Sequence, residues 1–182
     1  MEPVATQSKK WHEKKSTFSR ADVSLFVRSI ITRRIDLPMV SVGKNLMRTF
    51  DAVVKSSFEG KCSVEGYIKP DSVSIISYSG GKTTGDMVSF TVIFSCDICT
   101  PVEDMGIPCV AINITKAGIR AESVVSPSPI VVFIARDHYY ENDYFNSIKE
   151  GDHIMIRVIG CRYELHDRQI SVIAEIVPTR TK

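Results

Sequence analysis

Three groups of residues in this sequence could do chemistry. Cys96 and Cys99 form a CxxC pair, the spacing at which two thiolates grip a tetrahedral zinc ion, and Cys62, Cys109 and Cys161 make an odd total of five. A zinc site of this type needs a second pair, or histidines in its place, at short spacing, and neither follows. The cysteines therefore read as small buried hydrophobes with free thiols, standing among Val, Ile and Phe, and no metal or other cofactor is expected. Gly80-Gly81-Lys82-Thr83 carries the last residues of a phosphate-binding loop, but the glycine that opens that motif would fall at position 76, which is Ile76. The segment also leads towards a strand, so no helix N-terminus would face a phosphate. Nucleotide hydrolysis is excluded. His12, His138, His153 and His166 are scattered, with no nucleophile elbow and no ligand spacing between them. The paired carboxylates Glu103 with Asp104 and Asp137 with Glu141 fall in polar loops. No catalytic residue emerges, and the chain reads as a non-enzyme.

A different chemistry has more support. Rings that stack on bases and cations that meet phosphates are the equipment of single-strand binding. Lys116, Arg120, Phe133, Arg136, His138, Tyr139 and Arg162 fall on strands or loops that could share one face of a small barrel, the residue-level expectation for RNA contact. Charge limits its strength. Residues 1–20 hold five basic side chains against Glu2 and Glu13, a local +3, and the rest of the chain holds 18 basic and 19 acidic, or −1. A protein that grips duplex DNA through many phosphates carries a marked positive excess in its folded part. Weak contact with a single strand remains compatible with this balance.

These residues need elements to position them. Residues 1–21, polar and basic apart from Trp11 and Phe18, read as a flexible arm. Val23 to Leu37 is rich in β-branched residues and stops at Pro38, as a strand does. Leu46, Met47, Phe50, Val53, Val54 and Phe58 then recur at helical spacing, in a helix that begins after Ser41 or Gly43 and ends near Gly60. Segments 61–68, 72–78 and 88–97 read as strands, the last with Val88, Phe90, Val92, Phe94 and Cys96 on one face. Between the last two, Ser79 to Asp86 is composed of turn residues and is expected to form a projecting hairpin loop. Thr100 to Pro108, with two prolines and a glycine, is the expected hinge. Five strands follow, at 108–116, 118–125, 130–134, 153–163 and 169–177, with the polar insertion 135–148 between the third and fourth. That pattern is a Greek-key barrel of the OB type.

The fold class is thus α+β: a helix packed on an antiparallel sheet over 22–104, then an all-β barrel over 105–182. Hydrophobic residues are 43% and charged ones 24%, ordinary for a globular protein, and no apolar run reaches the ~20 residues of a membrane span. The opening residues lack the apolar stretch of a secretory signal, so a reducing, intracellular compartment is expected.

The order of these elements resembles the seventh-subunit (stalk) family of eukaryotic RNA polymerase II, which has a counterpart in the stalk of archaeal RNA polymerase. FEGKCSVEGYIKPDSVSIISYSGGK is similar to that family's segment after the first helix, through Glu59, Gly60, Cys62, Gly66, Tyr67 and Ile68. FTVIFSCDICTPVEDMGIPCVAINITKAGIRAE resembles its crossing into the barrel, with Pro101, Val102, Gly106 and Gly118. GDHIMIRVIGCRYELHDRQISVIAEI looks like the closing hairpin of ribosomal S-one-type barrels. The wording of IKPDSVSIISYSGG and VAINITKAGIRAE resembles versions encoded by large cytoplasmic DNA viruses. The resemblance implies a stalk subunit of a multisubunit DNA-directed RNA polymerase, acting in transcription initiation. Its tip loop, here Tyr78, Ser79, Gly80, Gly81, Lys82, Thr83, Thr84 and Gly85, would dock at the clamp base of the largest core subunits. The barrel would meet nascent single-stranded RNA. A fourth-subunit homologue is the implied partner, and no membrane is involved. The location would be a viral replication factory in the host cytoplasm or the virion for a viral protein, the nucleus for a cellular one. The alternative from another class is a free-standing single-stranded RNA-binding protein on the same barrel.

Overall fold

The computed structural model describes residues 25–139 and 143–177, so the basic arm expected over 1–21 lies outside the described residues. The N-terminal half is built on one long strand. β1 (Val27–Pro38) is followed by a 3-10 turn at Met39–Ser41, α1 (Leu46–Phe58), β2 (Cys62–Ser63), β3 (Gly66–Ile68), β4 (Ser74–Tyr78), β5 (Lys82–Thr84) and β6 (Met87–Cys99). β6 pairs antiparallel with all of β1 on one edge. Its other edge is tiled in turn by β5, β4 and β3, and β2 extends the sheet beyond β3.

Strict alternation along β6 explains the layer. Val88, Phe90, Val92, Phe94, Cys96 and Ile98 are buried, together with Ile31, Ile35 and Leu37 of β1 and Val73. α1 covers that face with Phe50 and Val54, both fully buried. Phe50 meets Phe90 edge to face at 5.0 Å between centroids, and Phe58 lies 5.9 Å from Phe94. Full burial of side chains this size stabilises by about 1.5–3 kcal/mol each, so this apolar layer outweighs any surface pair in the half. Met47, expected on the same helical face, is instead half exposed on the first turn.

Two expectations are corrected here. The strand expected at 61–68 is a hairpin of two short strands, because Val64-Glu65 turns the chain and Gly66 (φ +133) continues in a conformation that L side chains rarely adopt. The loop expected at Ser79 to Asp86 is only partly a loop. Lys82–Thr84 pairs with Met87–Ser89 as β5, since two threonines suit a strand and β6 starts early enough to serve as its template. The turn itself shrinks to Gly85-Asp86, with Gly85 at φ +64.

The second half is the expected barrel, with β7 (Gly106–Ile114), β8 (Gly118–Ser123), β9 (Ile130–Ala135), β10 (His153–Arg162) and β11 (Ile170–Val177). They close in the order β10-β11-β9-β8-β7, with β10 returning to β7. β9 and β11 are parallel and the other pairs antiparallel, an OB-like arrangement. The insertion forms a 3-10 turn at Arg136–His138 and a short α2 (Asp143–Ser147), whose Phe145 is buried in the barrel core. No helix among the described residues is long and apolar enough to cross a membrane.

The two halves are tied at several points. Leu25, Cys62, Tyr67 and Cys99 belong to the same apolar cluster as the barrel interior. The Cys62 N–H donates to the Asp167 carbonyl at 2.7 Å, and the His166 N–H donates back to the Cys62 carbonyl at 2.9 Å. In the connection, the Asp104 N–H donates to Val158 and the Val158 N–H to Met105, both at 2.9 Å. The segment expected as a hinge is therefore laced to β10.

Cys96 and Cys99 illustrate the effect of the sheet on the CxxC pair. A spacing of three along a strand sends the two side chains to opposite faces, so Cys96 lies in the sheet core and Cys99 in the barrel core. Burial pushes the thiols of Cys62 and Cys96 up to about 11 and those of Cys99 and Cys109 up to about 12. Cys161 alone is exposed, with its Sγ 3.3 Å from the Pro101 carbonyl, an exception to the expectation that all five are buried. Thiolate is the reacting species. A thiol titration at pH 8 should therefore find one fast-reacting cysteine per native chain, lost in Cys161→Ser, and five in denaturant.

Candidate functional site

Two surfaces contain most of the residues singled out from the sequence, one at the end of the sheet and one on the outer wall of the barrel. At the sheet end, Tyr78 closes β4 with its ring 5.0 Å from Phe50 and 6.5 Å from Phe90 while it stays 42% exposed. Ser79 then locks the chain to β6: its N–H donates to the Thr91 carbonyl, and its hydroxyl accepts the Thr91 N–H, both at 2.9 Å. Gly80 and Gly81 differ in kind. A Cβ on Gly80 would meet open space, whereas one on Gly81 would stand 2.6 Å from Val88 and 2.8 Å from the Phe90 ring. Gly81 is thus a packing requirement, and Gly80 belongs to the surface. Lys82, Thr83, Thr84 and Gly85 are all exposed.

This end also holds residues that sequence reasoning passed over. The Met39 N–H donates to the Asp86 carbonyl at 2.9 Å, which fastens the turn after β1 to the β5–β6 turn. Met39 is 49% exposed and Val40 98%. The pair places an apolar knuckle beside the β5–β6 turn, and Met47 is a further half-exposed methionine on the first turn of α1. The available signal was two unperiodic hydrophobes directly after Pro38, where turn residues would ordinarily stand.

On the barrel, the strand register sets Asn113, Arg120, Phe133, Ile173 and Gly160 level with one another across β7, β8, β9, β11 and β10. Phe133 is 48% exposed and Ile173 56%, so Phe133 belongs to the outer wall and not to the core. Bulges in β7 and β10 turn Ile112 and Ile159 outward beside the same row. Arg120 reaches Glu122 at 3.4 Å. Arg162, two residues beyond Gly160 on the same face, reaches Glu164 at 3.1 Å. Exposed pairs of this kind contribute little to stability.

The remaining predicted residues lie elsewhere. Lys116 is exposed in the β7–β8 turn and shares a shallow opening of about 380 Å3 with Ile114, Thr115 and Arg136 at the end of the barrel. That turn depends on Gly118, whose φ is +154 and where a Cβ would stand 2.1 Å from the Ile134 carbonyl oxygen. Arg136 is bound inward, donating to the Thr115 carbonyl and to Asn146, both at 3.2 Å, with its guanidinium 5.1 Å from the centre of the Phe145 ring. Tyr139 is structural as placed: its ring stacks on Phe145 at 5.1 Å and its hydroxyl accepts the Ile176 N–H at 2.7 Å. His138 closes the 3-10 turn after β9. The structure therefore brings Arg120, Phe133 and Arg162 onto one wall, sets Lys116 and Arg136 together at its end, and packs Tyr139, half-buried, against the barrel core. Among the described residues no group of three or more His, Cys, Asp or Glu side chains is placed to hold a metal ion.

Comparison with known proteins shows a likeness to a viral protein. Over 124 residues the chain is 27% identical to a protein of Acanthamoeba polyphaga mimivirus named "Putative DNA-directed RNA polymerase subunit L376", covering 59% of this chain and 60% of that protein. No family model matches the chain.

The different placements of Tyr139 and Phe133 have separable consequences. Tyr139→Phe leaves the buried Ile176 N–H without its acceptor and should lower stability by about 1–3 kcal/mol, read as an earlier denaturant midpoint. Phe133→Ala, on the exposed wall, should shift that midpoint by less than half as much.

Proposed function

We propose that this chain is a non-catalytic accessory subunit of a multisubunit DNA-directed RNA polymerase of the large-DNA-virus type, a stalk subunit that docks by its sheet end and offers its barrel to emerging RNA. The observation that carries the reading is the likeness to the mimivirus polymerase-subunit protein. The succession of a helix-covered sheet and an OB-like barrel supports it, because that order is what the stalk resemblance requires. The match spans about 60% of the mimivirus protein's length, and the subunit assignment is a proposal for the whole chain.

The docking surface is the sheet end, with the core subunits at the clamp base as partner and a fourth-subunit homologue alongside. Gly80, Lys82, Thr83, Thr84 and Gly85 supply a narrow exposed edge, and Met39 and Val40 supply apolar area beside the turn that ends it. Apolar groups at the centre of an interface with polar ones at its rim is the usual anatomy of a protein contact. The docked subunit biases the clamp only to the extent that this contact differs between open and closed polymerase. RNA would cross the outer wall at Arg120, Phe133 and Arg162 and reach the end marked by Lys116 and Arg136. One exposed ring and arginines already paired with Glu122 and Glu164 fit weak, sequence-tolerant contact. Polymerase association fits an intracellular site, the viral factory or virion.

Affinity purification of a tagged chain from its native source tests the assignment: large polymerase subunits should co-purify, and their absence at full recovery of the chain would sink it. Val40→Glu combined with Gly80→Glu should abolish that association by tenfold or more without changing the unfolding midpoint, since both positions are open to solvent. Gly81 is left intact because its replacement would disturb Val88 and Phe90. In the polymerase that still assembles, Phe133→Ala with Arg120→Ala should lower transcript crosslinking to this chain at least threefold. Unchanged crosslinking would move the RNA contact off this wall.

A further inference from the structure

β1 pairs with β6 through all twelve residues without a bulge, and no strand among the described residues takes its other edge. Natural sheet edges are kept short, bulged, or guarded by charged side chains or proline, because unpaired N–H and C=O groups template the addition of another strand; β1 carries charges in Arg28, Arg33, Arg34 and Asp36 but is long and unbulged. Here the only proline is the last residue, Pro38, and Val27 and Ile30 stand 65% and 69% exposed. Beside this edge runs a groove of about 360 Å3, with Leu25, Val27, Ile31, Ile98 and Met105 among its lining residues and the Arg33–Glu65 ion pair at its rim.

We infer that the free edge of β1 and this groove receive an extended segment of another polypeptide, which adds a strand to the sheet with apolar residues towards the groove and carboxylates over Arg28 and Arg34. The groove mixes apolar residues with the uncharged Ser29, Thr32 and Thr100 and has an ion-paired, neutral rim, so it suits uncharged side chains at alternate positions. The opposite face is different. Arg28 donates to the Ser72 carbonyl, Asp97 and Ser95, and Arg34 to Asp36 and Ser89. Each guanidinium has five N–H groups, so both keep donors to spare, on side chains 54% and 69% exposed. Charge decides between occupants. β1 holds three arginines against Asp36; the chain's own residues 1–20 carry +3, and a second copy would bring another three arginines, so either sets like charge against like across the new ladder. An acidic and apolar strand from a different chain has no such penalty. The inference rests on the polymerase reading only in expecting that such a partner exists within the assembly.

The test places p-benzoylphenylalanine at Thr32, an exposed position in the middle of β1, in the full chain purified with its native assembly, followed by irradiation and peptide mapping. The expected result is an adduct with an extended, acidic and apolar segment of another subunit. Ile30→Asp should reduce it at least tenfold, Ile30→Lys should retain it, and both variants should keep the parent unfolding midpoint. An adduct with residues 1–24, an adduct with a second copy, or no adduct in the intact assembly overturns the inference. The two proposals fail separately. Co-purifying polymerase with no adduct at Thr32 sinks only the edge site, and an adduct to such a segment without polymerase sinks only the polymerase assignment.

Discussion

The structure depends on a single constraint, the alternation of side chains along β6. One face of that strand, from Val88 to Ile98, supplies the apolar layer on which α1 rests, and its two edges hold β1 on one side and β5, β4 and β3 on the other. At its end the rule changes. Ile98 and Cys99 are neighbours pointing to opposite faces, yet both are buried, because the barrel arrives to cover the second face there. The sheet is one-sided wherever β6 is clear of the barrel and two-sided where it meets it. Position along this strand therefore decides which surfaces are left for partners.

The junction follows from the same point. Cys62 lies one strand beyond Tyr67, which pairs with Cys99, and its N–H and carbonyl both bond to the His166-Asp167 turn of the barrel. His166 holds φ +71 to make that turn, an uncommon conformation for a residue other than glycine. Two backbone hydrogen bonds and a shared apolar cluster leave little room for one half to pivot on the other. Under the proposed reading, a force applied at the sheet end moves the barrel with it, and the angle between docking surface and RNA wall is set by folding and not by binding.

Much of this was legible in the sequence because periodicity reports burial. The β6 alternation, the helical spacing ending at Phe58 and the five barrel strands each produced a pattern that only one kind of element satisfies, and the strands were found within a few residues of their observed bounds. Reading failed where local composition and tertiary pairing disagreed. Lys82-Thr83-Thr84 sits among glycines and serine, and only the early start of β6 makes it a strand. The intramolecular partners of Arg136 and Tyr139, namely Phe145, Asn146 and the Ile176 amide, were not legible either, because they come from elements whose packing no spacing rule encodes. That Arg120 and Phe133 stand side by side was legible because neighbouring strands of the expected barrel type align them. The Met39-Val40 knuckle was not, since an apolar pair in a turn looks the same whether it is tucked in or projects.

The barrel wall and the sheet edges differ in a way that bears on what each can bind. The wall is closed: its backbone groups are paired around the barrel, so a ligand there meets only side chains, and those side chains are one ring, several isoleucines and arginines already matched to glutamates. Such a surface can discriminate little and hold weakly, which, under the proposed reading, suits a transcript sliding past. The β1 edge and β5 present backbone that no strand among the described residues pairs, which binds by direction and register and is suited to lasting contacts with protein. Under the proposed reading, a division of labour between the halves would need no special residues. It follows from one half being a sheet with open edges and the other a sheet closed on itself.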